Sequence, residues 1–327
     1  MGVREGLGVP TVLVAWTGVL FAVWSLVYWG VVGARGATVY ARVAGWLAPW
    51  ALMVAVVLGL AWQVDGAGWL WYRLTGYNLT PAESAASAAD LSRAAFVDRW
   101  PAFVADPSDA TVVRLPAGPH GFARTVVVPR GVSLVIEPGA ELRFGAGRSL
   151  IAYGAVEARG TADRPIVFTA RHRALKWGSV AVIDAPPSVF AHVRFEHARQ
   201  ARVDGVDLTG GLSLVGTDAE IAHSTFGPMF GKDAIYVRGG TLRIHDNEVR
   251  DAFIDGIDFD GGRGVLRDNR FVDCGDEGID LSGDLALDVF DNTVLDRRGG
   301  RVAAEADAMA TAIVLRNTLG YTDPSHP

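Results

Sequence analysis

Cysteine is almost missing from this chain. Cys274 is the only one in 327 residues, so no intrachain disulfide can form and a disulfide framework is excluded. Lysine is nearly as scarce: Lys176 and Lys232 stand against 28 arginines, the bias of a GC-rich bacterial genome. Charged residues are absent from 6–34 and again from 43–64. No histidine precedes His120, so the amino-terminal region has no imidazole to offer a haem or a chlorophyll. After residue 111 no helix-length apolar period survives, because Gly and Pro interrupt every short apolar run.

The two charge-free runs each exceed the ~20 apolar residues that cross a hydrocarbon core. They predict a transmembrane hairpin over residues 1–66, with spans at about 11–33 and 44–64. Eight of the ten tryptophans lie between Trp16 and Trp71, several near the ends of these spans, where indole favours the interface. The first run is longer than the ~7–15 residues of a signal-peptide core, and no small-x-small site with a polar segment follows it. Arg35 and Arg42 in the connecting loop place that loop in the cytoplasm and everything after residue 65 outside. The expected location is therefore a bacterial inner membrane, multi-pass, with the larger domain on the periplasmic or extracellular side. Gly18, Ser25, Gly30 and Gly33 supply small-residue contact points for helix association. The expected partners of the hairpin are the lipid bilayer and other membrane-protein subunits.

Residues 67–110 read as a linker. Thr80-Pro81-Ala82-Glu83 has the pattern of a capping box with proline at the first helical position, and predicts an amphipathic helix running to about Arg99. Such a helix would lie on the membrane or cover the open end of a solenoid. From 111 to 320 the chain is strand-like. Val126–Val128, Ser133–Glu137, Glu141–Phe144, Ser149–Tyr153, Ala155–Ala158 and Ile166–Thr169 come first, followed by Val189–Phe195 and Ile221–Phe226. Gly139, Gly154 and Gly160 are expected in turns that need positive φ. Residues 302–312 suit a short helix or an irregular final coil of the solenoid, and 321–327 form a tail.

The last third repeats itself. Asn247, Asn269, Asn292 and Asn317 recur at near-equal steps along the chain, and Ser224 stands one such step before the first of them. Beside this ladder run Asp233-Ala-Ile-Tyr, Asp255-Gly-Ile-Asp and Glu277-Gly-Ile-Asp, with the same step between them. A fixed period in the range of about 20–50 residues means one solenoid coil per repeat. Alternating apolar and polar residues inside each repeat mean that the coil is built of strands.

Leu134–Phe144, Gly154–Thr161 and Pro165–Thr169 resemble the opening coils of right-handed parallel β-helix proteins of the pectin-lyase-like class. The stretch after Trp177-Gly178, with its Asp-Gly-Ile-Asp and Asp-Asn rungs, is similar to β-helical modules that accompany CotH-type spore-coat kinases in bacterial surface proteins. The resemblance covers about residues 111–300 and implies the fold. It does not choose a function, since this fold hosts lyases, hydrolases, epimerases and non-catalytic modules.

The asparagines are expected to bond one another along the coil axis. The acidic residues are the candidate functional group. If Ile257, Phe259, Ile279 and Leu281 point inward, Asp258, Asp260 and Asp280 point outward, with Asp258 and Asp280 ~4.8 Å apart on neighbouring rungs. Asp255 and Glu277 stack likewise, above Asp233, and Asp251 and Asp273 form a third column. Carboxylates this close need a cation between them. Arg250, Arg263, Arg267 and Arg270 could supply it on a solvated outer face, or calcium could sit among Asp255, Asp258, Asp276, Glu277 and Asp280. The same clustering could raise one carboxyl's pKa and make Asp255, Asp258, Glu277 and Asp280 an acid–base set. The resemblance speaks against catalysis: the Gly-His-Gly and Arg-x-Lys elements of polygalacturonase-like enzymes and the Asp-Pro-His-Asp of mannuronan epimerases are missing. The seven histidines show no zinc-ligand spacing.

Residues 201–296 hold 20 acidic and 8 basic side chains, which excludes nucleic acid as a partner. Two functions remain. One is a non-catalytic structural, accessory or binding subunit of a membrane or surface assembly, with a polysaccharide as one candidate ligand. The other is a carbohydrate-active enzyme acting on uronate polymers with calcium.

Overall fold

The computed structural model describes residues 24–25, 28, 43, 45–47, 49–51, 54–55, 82–172, 175–296, 302–304 and 313–321. The chain divides into two units, Met1–Leu79 and Thr80–Pro324.

In the first unit the described residues are helical. The Trp46 indole donates to the Ser25 hydroxyl at 3.1 Å, and the Trp24 indole donates to the Trp46 carbonyl at 3.4 Å. Gly45 lets Tyr28 approach: a Cβ there would lie 2.6 Å from the Tyr28 hydroxyl. Among the described residues no helix is long and apolar enough to cross a membrane. Most of the expected spans at 11–33 and 44–64 lies outside those residues.

The second unit is a parallel β-solenoid of about eight turns. Each turn contributes a strand to each of three faces. One face is a nine-stranded parallel sheet that runs from Gly118–Phe122 through Ala140–Phe144, Ile166–Ala170 and Val193–Phe195 to Thr318–Tyr321. A second carries Val126–Val128, Leu150–Ala152, Val180–Ile183, Gly210–Val215 and Asp233–Arg238 in register. The third carries Val112–Leu115, Ser133–Ile136, Val156–Arg159, Ser188–Ala191, Ala219–Ala222 and Thr241–His245. The last two faces merge where single strands, Asp255–Arg267 and Ile279–Phe290, run through both. The fused strand bends through Gly261, Gly262 and Gly264, all at positive φ.

Inward side chains stack by type along the axis. Phe122, Phe144, Trp177, Phe195 and Phe226 form one column, with centroid separations of 5.4, 5.0, 6.2 and 5.0 Å. Aromatic contacts of this kind add about 0.5–1.5 kcal/mol each beyond burial. Phe103 and Trp100 extend the column over the first coil and cover its apolar cross-section.

The single helix expected from Thr80 is two short helices instead, Ala86–Ala89 and Arg93–Arg99. Ala82–Glu83 is a strand paired with Arg202–Val203, which removes the capping box. The side chain that caps the second helix is Ser92, accepting from the Ala95 amide at 3.2 Å. The coils expected at Val189–Phe195 and Ile221–Phe226 each hold two strands, separated at His192 and His223, whose left-handed φ of 49° and 51° turns the chain round a corner. Gly139 has the expected positive φ, 85°. Gly154 and Gly160 are needed for space rather than for φ: a Cβ on Gly154 would lie 1.8 Å from the Val132 carbonyl oxygen, and one on Gly160 2.4 Å from that of His192. Residues 302–304, expected as a short helix or part of an irregular final coil of the solenoid, form a strand paired with Ile279–Leu281, as a final coil would. The remainder of 302–312 lies outside the described residues.

Candidate functional site

Two stripes of polar side chains run up the solenoid. The first is the asparagine stripe at the corner that follows the third face. The amide nitrogens of Asn247, Asn269 and Asn292 each donate to the side-chain oxygen of the next asparagine, ending on Asn317, at 2.9, 2.9 and 3.0 Å. The same oxygens accept the backbone N–H one rung below, and Asn247 accepts from Ser224. The second hydrogen of each amide goes to a main-chain carbonyl, those of Ile221, Ile244, Leu266 and Val289. Asn247, Asn269 and Asn292 are buried, and their donors and acceptors are used within the ladder. This stripe holds the coils together and has nothing left to bind a ligand.

Before each asparagine stands a residue in the left-handed region: Asp246, Asp268 and Asp291 at φ 54–55°, and Arg316 at 52°. Aspartate tolerates that conformation better than most residues, which explains the repeated Asp-Asn pair.

The second stripe is the acidic one. Ile257, Phe259, Ile279 and Leu281 are fully buried in the core, so Asp258 and Asp280 lie on the opposite side of the sheet, in register on adjacent rungs. Asp233 and Asp255 are in register one rung apart as well. The structure departs from a solvated acidic face in two ways. First, Asp233, Asp255, Asp258 and Glu277 are 0, 2, 7 and 8% exposed. Second, the cation among them is Lys232. Its ammonium lies 2.9 Å from Asp258 and 3.8 Å from both Asp233 and Asp255. Of the arginines expected to neutralise the stripe, Arg250 and Arg270 reach Glu248, and Arg267 reaches Asp268.

Carboxylate oxygens of Asp233, Asp255 and Asp258 lie within 4.8 Å of one another. Glu277 joins through its backbone, donating its N–H to Asp255 at 3.1 Å. Asp276 and Asp280 are half-buried beside this group rather than members of it. Burial raises the Asp233 carboxyl pKa well above the ordinary range, against the pull of Lys232 and, to a lesser extent, of the Thr209 hydroxyl beside it. Neither oxygen of Asp233 has a well-formed hydrogen bond among the described residues. Burial also raises Asp255, with the Glu277 amide and Lys232 opposing it. Burial works against the Lys232 charge, but Asp233, Asp258 and Asp255 outweigh it and raise the ammonium pKa. At the rim, Tyr236 donates to Asp260 at 3.3 Å, and burial followed by the Asp260 charge pushes its phenol to about 12.

No family model, curated protein or solved structure matches this chain. The chemistry of the cluster therefore rests on its own geometry. Calcium takes six to eight oxygens; here three carboxylates already surround an ammonium, and calcium would have to displace it. A general acid must touch its substrate, and Asp233, the carboxyl with the most raised pKa, has no exposed surface. The cluster is a closed ionic knot between neighbouring rungs. Lys232 was legible only indirectly, as one of two lysines in the chain and the residue directly before the first acidic rung.

Proposed function

We propose that this protein is a non-catalytic, membrane-anchored β-helix that serves as a rigid structural or binding subunit of a bacterial membrane or cell-surface assembly. The winding is taken as right-handed, the hand of nearly all parallel crossovers. The observation that carries the reading is the position of Lys232, whose ammonium occupies the space among the carboxylates that a calcium ion or an acid–base pair would otherwise have used. The saturated asparagine ladder supports it, since both polar stripes join neighbouring coils. The anchor rests on the charge-free runs 6–34 and 43–64, and on the contacts of Trp24, Ser25 and Tyr28 with Gly45 and Trp46 between them. The outer faces then present a stiff surface to a protein or polysaccharide, on the periplasmic side of the inner membrane.

The test is extraction from membranes in mild detergent, with the mass of the intact particle measured against that of the monomer. A particle carrying further subunits in fixed ratio is expected; a lone monomer refutes the assembly role. In parallel, uronate polymers are incubated with the purified chain and calcium. Turnover that disappears in Asp258→Asn with Asp280→Asn, while the fold is retained, would replace this reading with the carbohydrate-active one.

A further inference from the structure

His223 and His245 stand one residue short of a period apart, with Ala222 in register with His245, and meet at the corner of the solenoid. Spacing along the chain hides the pair, because nearly a whole coil separates them. Nitrogen atoms of both rings and a carboxylate oxygen of Asp246 lie within 4.8 Å of one another. The His245 ring is gripped on both edges: Nδ1 is 2.8 Å from Asp246 Oδ2, and Nε2 is 3.3 Å from Glu220 Oε1. A neutral imidazole has one N–H and one lone pair. In either neutral tautomer one of its two nitrogens turns a lone pair toward a carboxylate oxygen, a geometry that a bound metal cation fits. With the N–H donated from Nε2 to Glu220, the lone pair of Nδ1 faces the Asp246 carboxylate, and a nitrogen of His223 lies within 4.8 Å of the group. A ligating histidine whose other nitrogen donates to a carboxylate is the common arrangement around bound metals.

The surroundings hold these groups still. The His223 ring stacks on His192 at 5.0 Å and 17°, and meets His245 edge-on at 5.8 Å. The backbones of His223 and Asp246 are left-handed, φ 51° and 55°, and each is followed by a member of the polar ladder, Ser224 or Asn247. His223 and Asp246 are exposed, so the corner is open to solvent.

We propose that His223, His245 and Asp246 bind one divalent transition-metal ion of the zinc type, with Glu220 as the positioning residue for His245. Two imidazole nitrogens and one carboxylate oxygen suit zinc and its neighbours, whereas calcium prefers oxygen alone. Three protein ligands on an exposed corner leave a coordination position for water or for a group on a partner.

The experiment uses the full chain in detergent, stripped with chelator and desalted. Co2+ is titrated while its visible d–d absorption is followed, and Zn2+ is then added in competition. One Co2+ per chain, displaced by one Zn2+, is expected. His223→Asn (asparagine tolerates the left-handed backbone) and His245→Ala each abolish the band. Glu220→Gln weakens affinity about 10–100-fold at unchanged melting temperature. Asp258→Asn leaves the band intact. A flat titration, with NMR showing His245 carrying protons on both nitrogens, overturns the proposal, because the cation is then a proton. A band that persists in both histidine variants, or moves with Asp258→Asn, overturns it equally.

Discussion

Replacing Lys232 with Met tests the ionic knot directly. The methylene stem is kept, and the charge among Asp233, Asp255 and Asp258 is lost. Removing one partner of a buried ion pair costs about 3–5 kcal/mol, because the uncompensated charge stays behind. Lys232 faces three carboxylates, its side chain is 28% exposed, and those of Asp233 and Asp255 are 0 and 3% exposed, so the same range applies here. For a unit of this size that lowers the melting temperature by roughly 6–20 °C. The sign with pH follows from the raised carboxyls. A carboxyl whose folded pKa lies above its unfolded value contributes stability below the unfolded value, near 3.8 for Asp233 and Asp255, and loses it as pH rises through the folded value. Without the ammonium these folded values rise further, so the loss is small at pH 4 and grows as pH rises toward them. Urea unfolding followed by far-UV circular dichroism at pH 4, 5.5 and 7 measures it. Adding Asp233→Asn to Lys232→Met removes the buried carboxylate and recovers most of the stability at pH 7. A loss below about 1 kcal/mol, or one equal at all three pH values, would show that the carboxylates are hydrated and that Lys232 is incidental.

Three further outcomes follow from the coil geometry. Asn269→Ala removes the acceptor of the Asn247 backbone and side-chain N–H groups and the donor to Asn292 and Ile244. At about 1–3 kcal/mol for each buried group left unmet, it destabilises by about 3–5 kcal/mol and speeds hydrogen exchange at the Asn247 amide. An unchanged exchange rate at that amide would refute the ladder's role. Gly154→Ala drives a Cβ into the Val132 carbonyl and lowers the unfolding midpoint, whereas Gly121→Ala meets nothing within 4 Å and stays within about 0.5 kcal/mol of the parent; equal midpoints would sink the crowding argument. The Ser108 hydroxyl first, and then Arg114, hold the Asp106 carboxyl far below its usual 3.8. A lowered folded pKa gives stability above the unfolded value that is lost as pH falls through the folded one. Proteolysis within residues 82–115 therefore accelerates on acidification below pH 3.8 in the parent, and Asp106→Asn is cut at neutral pH already.

What could be read from the sequence was whatever repeats with the coil. The steady step between the asparagines pointed to the solenoid, the alternation to strands, and inward Ile257, Phe259, Ile279 and Leu281 to the outward side of Asp258. Hidden were the features that depend on two coils at once, or on the space between them. Lys232 gains its meaning from carboxylates one rung away. His223 and His245 meet only because the chain closes nearly a full turn between them. The glycine at 154 reads as a turn residue until the Val132 carbonyl is found against it. The broken helix after Thr80 could not be foreseen, because Ala82–Glu83 pairs with Arg202–Val203, several coils further along the chain.

Parity gives the direction of a side chain but not what covers it, and one column of the second face shows the difference. In register, that column reads Val127, Ile151, Ala181, Ser213, Tyr236, Asp258, Asp280. All point away from the solenoid core, and strand alternation alone would expose them. The first three are apolar and buried, packed with Ala85, Ala88, Ala201, Val203 and Leu208. The cover is the helix Ala86–Ala89 together with the hairpin Ala201–Val203 and Val206–Leu208, a loop of one coil folded back over earlier ones. It makes a second, smaller core outside the solenoid. Past its reach the column turns polar and then acidic, and Lys232 does by charge what the hairpin does by apolar contact. The shift from valine to aspartate along one stripe therefore marks the edge of a covering layer. A column in any solenoid that changes character part-way should be read first as a change in what lies on top of it.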